Sequence, residues 1–432
     1  MKTLLLTVLL FILSDCYDPL DPNGNITVTW DIHEWRTDGY VAKVTIQNFY
    51  QYRHVEKPGW MLGWRWSRKE VIWSMRGAIA TQQGNCSDFK FQTPHSCKED
   101  PVIVDLTPDV GPENRSESCC HGGLLQAWAI DPTESFSSFE IVVGNLGDNS
   151  TIYPPANLTL MTARPGYTCA QFEDVPPTVT PVVNGMRQEQ VFRTWQAACT
   201  YSSYVANKNP ICCVSLSTFY NSHVTPCPQC SCGCRPTSDQ TMEICVSDDY
   251  AISSSSSLDR RQLIRCTDHM CPVQVHWHIK ANYRDHWRVK LTVSNYHYGA
   301  NYSDWSVMVQ HPGFSQRIWS YSFNHSKLNT LVHSGDAALF WGLEFYNDDL
   351  LNAIDKDPGS VTTEIILSKD LDSFTLRNGW AFPRKIYFNG ENCEMPLPQD
   401  FPGLPNACAG KAKGYMTLVL LLCFSLKMIL IR

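Results

Sequence analysis

The chain has 432 residues with 35 basic and 42 acidic side chains, a net charge of −7, which argues against a nucleic-acid or anionic-membrane surface. Hydrophobic residues make up 43% and aromatic residues 12%, with fourteen Trp, enough for real cores. A chain this long is too large for one core and suits two domains.

In chain order, Lys2 precedes a ten-residue apolar run (LLLTVLLFIL) and the small or short residues Ser14-Asp15-Cys16. That reads as a signal peptide over residues 1–16, too short to span a bilayer. Residues 26–32 (ITVTWDI) alternate strictly, with Ile26, Val28, Trp30 and Ile32 on one face, as in a half-buried strand. A turn at Asp38-Gly39 leads to a second strand, YVAKVTIQN. Lys57-Pro58-Gly59 then turns into an aromatic strand in which Trp60, Leu62, Trp64 and Trp66 share a face. Further strands follow over 70–78, 138–144 and 157–162, with Cys86, Cys97, Cys119 and Cys120 in long loops. The expected first domain is a β-sandwich over 17–170.

Residues 171–271 read as a connector followed by a cysteine-rich region. Cys199 to Cys271 includes ten of the nineteen cysteines: Cys199, Cys212, Cys213, Cys227, Cys230, Cys232, Cys234, Cys245, Cys266 and Cys271. In an unexported chain such a cluster would point to zinc; in an exported one the thiols become disulfides. With Cys86, Cys97, Cys119, Cys120, Cys169 and Cys393 they make sixteen, enough for eight bridges, each vicinal pair dividing between separate bridges. Seven Asn-x-Ser/Thr sequons, at Asn25, Asn85, Asn114, Asn149, Asn157, Asn301 and Asn324, fit the same compartment.

The first strand pair recurs 247 residues later. Residues 26–50 and 273–297 share seven identities in register: Val28, Trp30, Ile32, Asp38, Lys43, Thr45 and Asn48. The expected fold is therefore all-β, with a second sandwich over 272–400 and a disulfide-rich region between the two. After a stem over 401–406 come small residues, a short polar spacer and an apolar tail. That is the order of a glycosylphosphatidylinositol (GPI) signal with Asn406 as acceptor and 407–432 removed. A retained span with Lys427 snorkelling is the alternative.

Several stretches together resemble the plant COBRA family: YDPLDPNGNI at 17–26, EVIWSM at 70–75, CCVS at 212–215, HMCP at 269–272, VHWH at 275–278 and GWAFPR at 379–384, followed by IYFNG at 386–390. The resemblance covers nearly the whole mature chain. It implies a GPI-anchored protein on the outer leaflet of the plasma membrane, with a cellulose-binding-like N-terminal region. It further implies a role in cellulose microfibril deposition and oriented cell expansion.

A glucan chain offers flat C–H faces to aromatic rings and hydroxyls to polar edges. Trp60, Trp64 and Trp66, with about 13 Å and then about 7 Å between them along a strand, are the first candidates for a sugar platform. Trp35, Tyr52 and Tyr50 are secondary ones, and a purely core role for the three Trp is the competing reading. His276 and His278 share a strand face, but a metal site is not expected there, nor any cofactor. No nucleophile elbow, zinc-protease helix or P-loop occurs, so the chain reads as non-catalytic. A glycosidase or transglycosylase using acids such as Asp348 and Asp349, or an adhesion protein recognising another wall polymer, are the rival functions.

Overall fold

The computed structural model describes residue 18 and residues 20–147, 151–182, 187–203, 205–206, 210–227, 272–296, 301–328, 336–344, 346–347, 351, 359–369 and 381–403. The expected signal peptide, Asn149, Asp348, Asp349, Asn406 with its tail, and Cys230, Cys232, Cys234, Cys245, Cys266 and Cys271 lie outside the described residues. Every described element is a strand or a short 3-10 turn, so the fold is all-β.

The first half contributes β1 (Ile26–Arg36), β2 (Gly39–Asn48), β3 (Met61–Arg65), β4 (Val71–Arg76), β5 (Ala78–Ala80), β6 (Val102–Asp105), β7 (Phe136–Gly144), β8 (Ala156–Met161), β9 (Tyr167–Cys169), β10 (Glu173–Val175), β11 (Val179–Val182), β12 (Arg187–Gln190) and β13 (Arg193–Tyr201). The order β10-β13-β1-β2-β7-β4, with β9 also on β13, forms one sheet, and β5-β6-β3-β8 forms another. Their facing side chains close a core that includes Val28, Trp30, Val44, Trp60, Trp64, Phe139 and Trp195. The alternation read in β1 holds: Ile26, Val28, Trp30 and Ile32 are fully buried. Asp31, on the opposite face, is also buried and accepts hydrogen bonds from Thr194 Oγ1 (2.6 Å) and Thr178 Oγ1 (2.8 Å).

The second half contributes β14 (Cys212–Thr218), β15 (Asn221–Thr225), β16 (Val273–Asn282), β17 (His286–Asn295), β18 (Ser306–Gln310), β19 (Ile318–Ser320), β20 (Asn324–Leu328), β21 (Ala337–Trp341), β22 (Gly359–Ser368), β23 (Lys385–Phe388) and β24 (Glu391–Asn392). The sheets β15-β14-β16-β17-β22-β19 and β20-β21-β18-β23-β24 enclose a second core. Within the region expected as a connector, 171–271, the described strands β10 and β13 belong to the first sandwich and β14 and β15 to the second. Strand β13 pairs with β1 in the first, and the CCVS strand β14 runs parallel to β16 in the second. Pairing with a central strand satisfies the backbone groups of both segments, which a free connector would leave to water.

The internal repeat is structural. Hairpins β1–β2 and β16–β17 occupy the middle of their sheets, and each shifts register at the same point, between Ile32 and Glu34 and between Ile279 and Ala281. Asn48 and Asn295, which correspond in the repeat, are both fully buried and donate side-chain amides to loop carbonyls: Asn48 to Arg53 O (2.8 Å), Asn295 to Leu351 O (3.0 Å).

Five disulfides join described cysteines: Cys86–Cys97, Cys119–Cys120, Cys169–Cys199, Cys212–Cys393 and Cys213–Cys227. Cys212 and Cys213 divide between separate bridges, as expected. Cys119 and Cys120 do not. They bond to each other, and Cys86 closes with Cys97.

The sandwiches meet through an apolar patch that joins Leu20 and Tyr52 to Met308, Leu328, Leu339 and Tyr387. Beside it Arg53, whose side chain is 6% exposed, pairs with Glu391 (2.8 Å) and lies 3.4 Å over the Tyr201 ring. Burial works against the guanidinium charge, but Glu391 and the surrounding tyrosines outweigh it and hold Arg53 protonated. Tyr201 Oη also donates to Glu391 (2.8 Å), and Asn389 Nδ2 donates to Glu56 Oε1 (2.7 Å).

Candidate functional site

The aromatic strand is the first place where the structure departs from the expectation for the site. Gly59 has φ +97°, and a Cβ there would meet Gly122 O at 2.1 Å, so the turn before β3 requires glycine. Trp60 N–H donates to Gly123 O (2.9 Å), which fixes the entry into β3. Trp60, Leu62, Trp64 and Trp66 then share a face as read, but that face meets the larger sheet. The three indoles are 1%, 3% and 4% exposed. Trp64 packs edge-on to Trp30 (5.2 Å, 89°) and Trp66 (5.4 Å, 78°), and Trp60 stacks on Phe139 (6.0 Å, 22°). The platform expected on Trp60, Trp64 and Trp66 is therefore corrected to a core cluster, whose ring faces are already covered by other rings.

Tyr52 is corrected in the same way. It is 1% exposed, packs edge-on to Tyr387 (5.4 Å) and belongs to the junction between the sandwiches. Tyr50 is buried too; its hydroxyl accepts from Tyr201 N (2.6 Å), and burial pushes its pKa up to about 12.

Trp35 is 46% exposed. It lies past the bulge in β1, opposite Tyr40 in the register, and meets that buried ring edge-on at 6.3 Å. Phe192, 62% exposed, stands beside it with ring centroids 6.3 Å apart and planes tilted by 50°. Phe192 N–H donates to Ile32 O (2.8 Å), so the bulge that turns Trp35 also anchors its neighbour. Charged groups rim this corner: Arg36 with Glu34 (3.2 Å), and Arg193 held by both oxygens of Asp174 (2.6 and 2.8 Å). Two partly exposed rings beside charged side chains combine the apolar surface and polar edges that a sugar chain can use. On the outer face of the same sheet, a polar cleft of about 190 Å³ is lined by His33, Lys43, Arg76, Arg115, Glu117 and Glu140. Phe192 was not found by sequence reasoning. Its only signal is its place just before an alternating strand, on the far side of the chain from Trp35.

His276 and His278 stack at 6.4 Å and 15°, and serines engage both nitrogens of His276 and Nδ1 of His278. His276 lies 2.6 Å from Ser215 Oγ and 2.8 Å from Ser217 Oγ, which is also 2.7 Å from His278 Nδ1. Burial lowers both pKa values, which favours the neutral rings. Among the described residues no group of three His, Cys, Asp or Glu gathers as a metal would require. Of the described sequons, Asn85, Asn114, Asn157 and Asn301 are exposed, while Asn25 and Asn324 are half-buried.

The profile of the COBRA N-terminal domain matches residues 40–202, and that of the COBRA family C-terminal domain matches residues 211–402. The gap between them falls where β13 ends and β14 begins. The chain is 47% identical over 400 residues to COBRA-like protein 1 of Oryza sativa subsp. japonica, covering 91% of this chain and 89% of that one. It is 47% identical over 414 residues to COBRA-like protein 2 of Arabidopsis thaliana (95% and 93%), and 44% identical over 418 residues to Protein COBRA of the same plant (95% and 91%). With two sandwiches matched across both halves, the chain belongs to the COBRA family.

Proposed function

We propose that this is a non-catalytic cell-wall protein that binds cellulose or a related β-glucan and assists microfibril deposition, crystallisation and oriented cell expansion. It would be exported by its N-terminal segment and held at the outer leaflet of the plasma membrane by a GPI lipid on Asn406. The observation that carries the binding reading is the pair Trp35 and Phe192, adjacent and half-open at one end of the first sandwich. They sit on a rigid sheet end, so little ordering entropy opposes stacking of a sugar face. Trp60, Trp64 and Trp66 serve the same site indirectly, by fixing the core beneath it.

Pull-down of the secreted chain on microcrystalline cellulose, together with a reducing-sugar assay, tests this. Wild type should be retained, Trp35→Ala/Phe192→Ala released, and no sugar produced. Retention of the double variant would remove the proposed corner, and sugar release would overturn the non-catalytic reading.

A further inference from the structure

The second sandwich turns one sheet toward the first sandwich and leaves the outer face of the other, β15-β14-β16-β17-β22-β19, on the opposite side. Across that face Arg288, Ile366 and Trp319 are register partners on β17, β22 and β19, so their side chains share one row. Two strand spacings separate Arg288 from Trp319, about 10 Å. In the next row Lys290 partners Glu364, and Tyr321 N–H donates to Glu364 O (3.2 Å). At the β16–β17 turn Tyr283 stacks on His286 (4.4 Å, 18°). Tyr283, Trp319 and Tyr321 are 46%, 45% and 64% exposed, a second set of partly exposed rings on the sheet.

The charge of this face runs against that of the chain. Among the described residues Lys280, Arg284, Arg288, Lys290 and Arg317 gather here with Asp285 and Glu364, on a molecule with 35 basic and 42 acidic residues. Glu364 takes both Lys280 and Arg288, and their hydrogen bonds hold its carboxyl below the usual range. Among the described residues Arg284 and Lys290 pair with no carboxylate, and the Arg317 guanidinium lies 4.4 Å over the Trp319 ring. A neutral glucan has no use for such a cluster. A chain of sugar rings that carries carboxylates matches both the rings and the cations.

We propose that the outer face of the second sandwich binds an acidic, uronate-bearing polysaccharide, with sugar rings on Tyr283, Trp319 and Tyr321 and carboxylates on Lys290 and Arg317. The protein then engages two wall polymers at once, a neutral glucan at Trp35 and Phe192 and a polyuronate here. This second site does not depend on the first.

The test uses the full secreted chain against polygalacturonate, its methyl ester and a soluble cello-oligosaccharide, at about 0.02 M and about 0.5 M salt, which moves the screening length from above 10 Å to below it. Polygalacturonate should bind at low salt, weaken at least about tenfold at high salt, and weaken similarly in Trp319→Ala and in Lys290→Gln/Arg317→Gln. These are surface changes, and an unchanged unfolding midpoint confirms that each variant is folded. Trp35→Ala/Phe192→Ala should bind polygalacturonate as wild type does, so failure of the glucan corner and failure of this face are separately visible. Absence of polygalacturonate binding at low salt would overturn the proposal. So would equal binding of the methyl ester, a cello-oligosaccharide site lost with Trp319, or retained binding in both variants.

Discussion

Replacing Trp64 by Ala separates a core ring from a binding ring. Its side chain is 3% exposed and makes edge-to-face contacts with Trp30 at 5.2 Å and Trp66 at 5.4 Å. Burial of an indole removes roughly 150–250 Å² from water, about 4–6 kcal/mol at about 25 cal/mol/Å², and an extended-chain reference makes that an upper bound. Measured Trp→Ala changes in cores cost about 3–5 kcal/mol, and the rigid rings on either side leave little room for collapse. A loss of about 4 kcal/mol is therefore expected in chemical denaturation followed by circular dichroism. Cellulose retained per folded molecule should stay within about twofold of wild type. A Trp64→Ala protein as stable as wild type that no longer bound glucan would refute the assignment of this strand to the core.

Glu391→Gln leaves the buried Arg53 without its carboxylate and should destabilise the junction by about 3–5 kcal/mol, splitting a single calorimetric transition into two; one unshifted transition would contradict this. Cys393→Ser opens the loop closed by Cys212–Cys393, whose ends lie 181 residues apart, and should cost about 2–5 kcal/mol on denaturation. Cys119→Ser/Cys120→Ser closes no comparable loop and should stay within about 0.5 kcal/mol of wild type. Burial lowers the pKa of His276, His278 and His54, so the unfolded chain takes up their protons first as pH falls. Their stabilisation is fully present above about pH 6.5 and is lost as pH falls through the folded values. Asp21, pushed up to about 6 by burial, acts in the opposite sense, its contribution present at low pH and lost as pH rises through about 6. In urea titrations from pH 7 down to 5, His276→Gln/His278→Gln should lose less stability than wild type, and an equal loss would refute the neutral serine–histidine chain.

Much of the fold was legible because period-two alternation is strong in β1, β2, β16 and β17, and because the repeat carries Trp30 and Trp277 to the same buried position. The pattern also placed Trp60, Trp64 and Trp66 correctly on one face. What it lacked was the partner of that face: alternation distinguishes two sides of a strand without saying which one meets a second sheet. The bulge after Ile32 was hidden as well, since one extra residue puts Trp35 on the side of Tyr40, where strict alternation from Ile32 would turn it outward. The pairing of β13 with β1 and the parallel pairing of β14 with β16 join segments distant in sequence, so neither leaves a local signature. Phe192 joins the site through the first of these pairings.

The glucan-binding corner is tested most directly by titrating a soluble cello-oligosaccharide into wild type and Trp35→Ala/Phe192→Ala by calorimetry, with unfolding midpoints measured on the same samples. Loss of both rings should weaken binding at least about tenfold, about 1.4 kcal/mol, with the midpoint unchanged. Equal affinity in the two proteins would contradict the account.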